Sequence, residues 1–192
     1  MEVVRIFVDT NTFEGLYTIR YDGEELDEFE RLFDLWTDAE YVREYLRSNQ
    51  QYLKSDYFKD LFLDEIETEI LDEAEELERL LERHATDNDI GNLQMLFKPL
   101  NNTSYVIPPP LEKTKARIRD RNKFRKGILR IYALRLGKNT FVVTGGAIKL
   151  VREMKDHHDT HKELDKLEKV KAFLKENNLY TDEDLVFYYG RF

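Results

Sequence analysis

The sequence contains no cysteine, only 4 proline and 8 glycine residues among 192, and no long apolar run. The absence of thiols excludes a disulfide scaffold, a thiolate metal site and a cysteine nucleophile. Apolar stretches of a few residues are too short to cross a bilayer. The first residues, Met1 to Arg5, also lack the basic start and apolar stretch of a secretory signal. We therefore expect a soluble, cytoplasmic protein with no membrane partner.

Charged residues are plentiful and unevenly distributed. The chain carries 30 Lys and Arg against 39 Asp and Glu, a net charge of −9. Residues 1–100 contain 10 basic and 27 acidic side chains, whereas residues 101–192 contain 20 basic and 12 acidic ones. The segment from Lys113 to Lys138 holds eleven basic residues and one acidic residue, Asp120. Because like charges at this density repel one another, we expect an anionic partner, either nucleic acid or the acidic first half of the chain.

The spacing of apolar residues predicts both helices and strands. Predicted strands cover residues 3–9, 16–21, 93–97, 104–107, 128–136 and 140–144. Predicted helices cover residues 26–36, 38–47 and 57–84, and a late helix opens at a Thr160–Glu163 capping box and ends at Asn177. This order predicts an α+β fold in which an N-terminal hairpin and a helical layer pack on a mostly antiparallel sheet, with a late C-terminal helix.

Two short motifs suggest ligand binding but have simpler interpretations. His157, His158 and His161 bring three imidazoles close together, yet no second ligand cluster accompanies them, so a solvated helix start is favoured over a metal site. Gly145 and Gly146 follow a predicted strand, and glycine amides can cradle a phosphate. Their spacing matches no nucleotide-binding fingerprint, so a bulge or bend at the sheet edge is favoured. The sequence thus predicts no metal and no cofactor.

One predicted strand carries side chains that could act on a phosphate. Arg130 and Tyr132 are two residues apart and share a face, while Arg135 points to the other face. Guanidinium groups can clamp a phosphate and stabilise charge in a phosphoryl-transfer transition state, and a tyrosine can shift a proton. Ordinary exposed strand polarity explains the same pattern equally well.

The second half of the chain resembles the sheet region of RelE/ParE-like toxins, including the HigB branch. The resemblance covers about residues 60–178 and consists of ordered strands with basic residues. In that superfamily, N-terminal helices pack on an antiparallel sheet whose central strand bears an arginine. The segments that carry the resemblance are Leu96 to Leu100, Tyr105 to Pro109, Leu129 to Leu136 and Phe141 to Lys149.

The resemblance implies a toxin of a type II toxin–antitoxin module. RelE-like members bind the ribosome and cleave mRNA without a metal, whereas ParE-like members act on gyrase. The implied partners are an antitoxin, expected to be a helix-turn-helix protein, and the ribosome or mRNA. Residues 1–55 would be an acidic N-terminal extension and residues 56–192 a RelE/ParE-like toxin domain, unless the chain is one continuous domain.

The resulting hypothesis is a ribosome-dependent, metal-independent mRNA endoribonuclease. Its predicted catalytic residues are Arg130, Tyr132 and Lys149. Its predicted RNA-binding residues are Arg117, Arg119, Arg121, Lys123, Arg125, Arg135 and Arg152. The alternative is a non-catalytic module that binds an antitoxin or gyrase through complementary charge. A third possibility is that the acidic first half masks the basic second half.

Overall fold

The structure is a computed structural model. It describes residues 1–54, 58, 60–87, 92–100, 107–118, 127–150 and 158–189. Within these residues, helices and a single mixed sheet form the predicted α+β fold. The late C-terminal helix is also confirmed.

Six strands form the sheet in the order β1-β2-β6-β5-β4-β3. All neighbouring strands run antiparallel except β2 and β6, which are parallel, so the prediction of a mostly antiparallel sheet is confirmed. Because β2 pairs with β6, the first 55 residues contribute two strands to the sheet that the second half completes. The strands are β1 (Glu2–Val8), β2 (Gly15–Arg20), β3 (Lys98–Pro99), β4 (Glu112–Ala116), β5 (Leu129–Arg135) and β6 (Thr140–Ile148).

Helices cover both faces of the sheet. The helices are α1 (Glu28–Thr37), α2 (Ala39–Ser48), α3 (Gln50–Leu53), α4 (Leu63–Thr86), α5 (His158–Glu176) and α6 (Asp182–Tyr189). One buried cluster joins α1, α2 and α4 to the sheet and includes Trp36, Ile70 and Ile131. A second joins α5 and α6 to the opposite face and includes Tyr132 and Val170. Because successive side chains of β5 point to opposite faces, Ile131 packs in the first core and Tyr132 in the second.

A buried carboxylate fixes where β5 begins. Glu73 of α4 is fully buried and accepts hydrogen bonds from the backbone N–H groups of Ile128, at 2.6 Å, and Leu129, at 3.0 Å. A Cβ atom on Gly127 would lie 2.3 Å from Glu73 Oε1, so the chain can pass the carboxylate only with a glycine there. The helical layer thus sets the position of the strand that carries Arg130.

Several local predictions are wrong, for identifiable reasons. Residues 93–97 are not a strand, because Leu93–Met95 form a 3₁₀ turn whose first N–H bonds the Asn139 side chain at 2.8 Å. The late helix begins at His158, so Thr160 is not its cap. The glycine pair does not end β6, which continues to Ile148. Thr37 and Glu40 also fit a capping box at the start of the second predicted helix, but Asp38 caps α2. Residues 104–106 of another predicted strand lie outside the described residues.

Candidate nucleic-acid interface

Alternation along β4 divides its side chains between the two faces of the sheet. Thr114 is buried and its hydroxyl donates to the carbonyl oxygen of Ala133 at 2.9 Å. Lys113 and Lys115 are half-buried on the other face, and Arg117, directly after the strand, continues the same pattern. The strand therefore presents three cations in a row.

The register of β4 and β5 adds Arg130 to this row. Lys115 lies opposite Tyr132 and Lys113 lies opposite Leu134, and directly opposed side chains share a face. Arg130 is two residues from Tyr132 on β5, so it lies on the same face. The structure thus places Arg130 and Tyr132 together, beside the cations of β4.

Helix α5 extends the positive surface. Lys113 Nζ donates to the Glu168 carboxylate, so this ion pair links β4 to α5. Lys171 of the same helix lies within electrostatic range of Lys113, and Lys175 lies within range of Lys171. We call this surface the basic face and define it by Lys113, Lys115, Arg117, Arg130, Lys171 and Lys175.

The cations of the basic face repel one another. The pKa of Lys115 is lowered first by burial and then by the charges of Arg117 and Arg130. The pKa of Lys171 is likewise lowered by burial, by Lys175 and by Lys113, with Glu168 alone opposing. A bound anion would relieve this repulsion, so the face has the electrostatic character of a phosphate-binding surface.

Two of the predicted catalytic residues are withdrawn from solvent. Arg130 is 7% exposed, and its Nη1 donates to the carbonyl oxygens of Gly127 at 2.6 Å and Leu129 at 2.5 Å. Tyr132 is 1% exposed, and burial raises the pKa of its hydroxyl. Their catalytic roles stay predictions.

The third predicted catalytic residue, Lys149, directly follows β6. Its side chain is half-buried, and its backbone N–H donates to the carbonyl oxygen of Ile128 at 2.9 Å. This bond continues the β5–β6 pairing beyond the end of the strand and places Lys149 two residue pairs past the pair of Arg130 and Ala147.

Arg135 lies away from the basic face. Its guanidinium donates to the Gln94 side chain, stands 3.6 Å from Glu112 Oε2 and lies over the ring of Phe141, with 5.8 Å to the ring centroid. These contacts lie on the face of the sheet that α1, α2 and α4 cover, as the predicted opposite orientation requires. Five further predicted RNA-binding residues lie outside the described residues: Arg119, Arg121, Lys123, Arg125 and Arg152.

Sequence reasoning missed four members of the basic face. Lys113 and Lys115 belong to a strand that was not predicted, although the period-two pattern of residues 112–117 indicates one. Lys171 and Lys175 have the four-residue spacing that places side chains on one helical face. These two features are the signals that could have found them.

The described residues hold neither a cluster of metal ligands nor a membrane-spanning helix. They contain no group of three or more histidine, aspartate or glutamate side chains that could hold a metal ion. His157, from the predicted cluster, lies outside them. No helix in the described part of the chain has the length and apolar character needed to cross a bilayer.

Comparison of the chain with protein-family models, with curated proteins and with solved structures finds no match. The resemblance to RelE/ParE-like toxins therefore stays a prediction.

Proposed function

We propose that the protein is the toxin of a type II toxin–antitoxin module and acts as a ribosome-dependent, metal-independent mRNA endoribonuclease. The observation that carries the proposal is the basic face, where β4, β5 and α5 converge on a mutually repelling group of cations. The order of hairpin, helical layer, sheet and late helix supports it as well. A ribosomal target would place the protein in the cytoplasm, with an antitoxin as its partner.

The chemistry requires cations more than any other group. The 2′-hydroxyl of the RNA would attack the adjacent phosphorus, lose its proton and form a cyclic phosphate, while the bond to the 5′ oxygen breaks and that oxygen gains a proton. Negative charge accumulates on the phosphate oxygens in the transition state, and nearby guanidinium and ammonium groups stabilise it. Arg130 and Lys149 are the proposed stabilising cations. Tyr132 and Arg130 are 1% and 7% exposed, so the proposal depends on the half-buried cations Lys115, Arg117 and Lys149 more than on either of them.

The test is to produce the wild-type protein and a Lys115→Ala/Arg117→Ala variant in growing cells. We expect the wild type to arrest growth and to cut translated mRNA, as detected by primer extension, and the variant to lose both effects. Lys138→Ala is the matched control, since Lys138 is an exposed cation in the turn between β5 and β6. Intact mRNA and unchanged translation with the wild type would refute the endoribonuclease proposal.

One observation favours the alternative of a non-catalytic binding module. Arg130 and Tyr132 are 7% and 1% exposed, so the strand chosen as catalytic offers little surface to a substrate. The same experiment separates the two functions, because growth arrest with intact mRNA would indicate binding to a protein target. In that case the basic face would recognise an acidic surface of the partner.

A further inference from the structure

A cleft opens where β2 separates from β6. The two strands pair only as far as Thr18 and Val143, and the register of β5 and β6 shifts at the same point. Beyond it, Gly145 to Ile148 pair with β5 alone in the described chain. Helices α1 and α2 stand on one side of this free edge and α5 on the other, and the space between them is about 670 Å³. We call this space the edge cleft.

The floor of the edge cleft is the backbone of Gly146. Lys149 N–H bonds to β5, so alternation directs the N–H and C=O of Gly146 to the opposite, unpaired edge. The carbonyl oxygens on either side are already used, since Tyr21 donates to Thr144 at 2.7 Å and Tyr45 donates to Ile148 at 3.4 Å. Among the described residues no hydrogen bond occupies the N–H or C=O of Gly146, so both groups can bind a ligand.

One wall of the edge cleft is aromatic. Trp36 comes from α1, and Tyr41 and Tyr45 come from α2 with their rings stacked at 6.2 Å and 29°. A Cβ atom on Gly146 would lie 2.6 Å from Trp36 Cη2, so only a glycine lets the indole reach the strand. The half-buried tyrosine rings present flat apolar surface on which a planar ring can stack.

The opposite wall is basic and comes from α5. Lys162, Lys166 and Lys169 follow one another at helical spacing and all line the cleft. Lys166 donates to the carboxylate of Glu28 and stands 3.1 Å from Glu163 Oε1. Glu163 is 5% exposed, and its Oε2 has no hydrogen-bond partner among the described residues. The wall therefore combines cations with one incompletely bonded carboxyl group.

We infer that the edge cleft binds a nucleotide, with the base stacked on Tyr41 and Tyr45 and hydrogen-bonded to Gly146, and the phosphate held by the lysines of α5. The volume lies within the usual range for small-molecule sites, roughly 300–1,000 Å³. Aromatic stacking suits every base, and lysine is a common phosphate ligand. A free mononucleotide and the terminal nucleotide of an RNA strand share this chemistry. The inference does not depend on the proposed toxin function.

Glu163 makes the binding sensitive to pH. Burial raises the pKa of this carboxyl to about 7, Lys166 lowers it, Glu28 raises it and Arg31 lowers it. The hydroxyls of Tyr21 and Tyr132 also lie within electrostatic range, but burial raises the pKa of both, so they stay neutral. Once ionised, Glu163 competes with a phosphate for Lys166. The affinity should therefore fall as the pH rises through about 7.

The test uses the full-length protein and the fluorescence of Trp36, its one tryptophan. The probes are AMP, GMP, CMP and UMP, and a short 5′-phosphorylated single-stranded RNA that offers the same group at a strand end. Adenosine, which lacks the phosphate, and inorganic phosphate, which lacks the base, serve as partial ligands. We expect saturable binding of at least one mononucleotide or of the RNA, and weaker binding of both partial ligands. Saturation by mononucleotides identifies a free nucleotide as the ligand, and saturation by RNA alone identifies a strand end.

Variants make the inference falsifiable. Tyr41→Ala should weaken binding about tenfold, because the base loses an aromatic ring on which it stacks. Lys169→Ala, at an exposed position, should weaken it without affecting the fold. Tyr180→Ala, an exposed tyrosine outside the cleft, is the matched control. Glu163→Gln should remove the fall in affinity above pH 7 and leave only the titration of the phosphate, whose second pKa is about 6. The inference is overturned if no probe saturates or if Tyr41→Ala and Lys169→Ala both bind like the wild type. These variants leave Lys115 and Arg117 unchanged, so a failure of the nucleotide inference would not refute the toxin proposal. That proposal is tested separately by the Lys115→Ala/Arg117→Ala variant.

Discussion

The carboxyl group of Glu163 is held between α5 and the backbone of β6. An ideal Cβ atom on Gly145 would lie only 1.7 Å from Glu163 Oε2, so the carboxyl packs directly on the glycine. Within the part of the chain that the structure describes, that oxygen has no hydrogen-bond partner, while Oε1 is 3.1 Å from Lys166 Nζ. Burial of this kind favours the neutral acid over the carboxylate, and it raises the pKa from 4.5 to about 7 in spite of Lys166.

The raised pKa makes the folded protein less stable at higher pH. Between about 4.5 and 7 the folded state keeps a proton that the unfolded state has released, so the free energy of unfolding falls as the pH rises through this window. Below 4.5 both states are protonated and the effect vanishes. Each pKa unit corresponds to about 1.4 kcal/mol, so the full effect above pH 7 is about 3 kcal/mol. Glu163→Gln has the same shape without the titration, so it should remove this loss.

Urea unfolding of the wild type and Glu163→Gln at a series of pH values measures the effect. Other titrating groups are common to both proteins, so their contributions cancel in the difference. We expect the variant to have nearly the stability of the wild type at pH 4.5 and to exceed it by up to about 3 kcal/mol at pH 8. Glu168→Gln is the control, because the hydrogen bond from Lys113 lowers the pKa of this exposed carboxyl on the same helix, and its loss should give no gain at pH 8. A difference that does not change with pH would refute the reasoning.

Two further stability predictions concern the glycine under Glu163 and the carboxylate that starts β5. Gly145→Ala should lower the free energy of unfolding by about 1–3 kcal/mol through overpacking, and by less in a Glu163→Ala background. A double-mutant cycle based on urea unfolding measures the difference, and equal losses in the two backgrounds would contradict the contact. Glu73→Ala leaves the N–H groups of Ile128 and Leu129 without their acceptor and should cost roughly 2–4 kcal/mol, whereas Glu73→Gln, which keeps one acceptor oxygen, should cost less. Similar losses for the two Glu73 variants would indicate that packing, and not hydrogen bonding, is responsible.

Elements with a strong local period could be predicted from the sequence. The apolar stripes of α1 and α4 and the alternating strands of the N-terminal hairpin depend on spacing alone, and the structure has them near the predicted positions. The shared face of Arg130 and Tyr132 follows from the two-residue period of a strand in the same way. Their burial could not be predicted, because it depends on which face α5 covers.

Strand β4 escaped prediction because two of its inward side chains are polar. Glu112 is buried beside Arg135, at 3.6 Å, and Thr114 is satisfied by the carbonyl oxygen of Ala133. Both partners lie on β5, far along the chain, so no local pattern reveals that these polar residues can be buried. The same holds for Leu93, whose N–H bonds Asn139. Long-range hydrogen bonds thus overrode the local signal at both places.

The glycine pair shows how the edge cleft arises from two packing constraints. The sequence favoured a bulge at Gly145 and Gly146, and the structure has a register shift between Tyr132 and Ala133 on the strand opposite. The strand nevertheless continues through both glycines, because the absence of a Cβ atom leaves room for a different neighbour on each face. Glu163 of α5 packs against Gly145 on one face, and Trp36 of α1 packs against Gly146 on the other.

Helix α5 serves both surfaces through different lysines. Its C-terminal part adds cations to the basic face, and its N-terminal part walls the edge cleft. If the surfaces are separate, the Lys115→Ala/Arg117→Ala variant should keep nucleotide binding in the cleft, and Tyr41→Ala should keep RNA binding to the basic face. Anisotropy of a labelled single-stranded RNA, titrated with salt, measures the second, and each cation lost should reduce the salt slope by about 1. If Tyr41→Ala changed that slope as much as the double variant does, the two surfaces would form one continuous RNA path across α5.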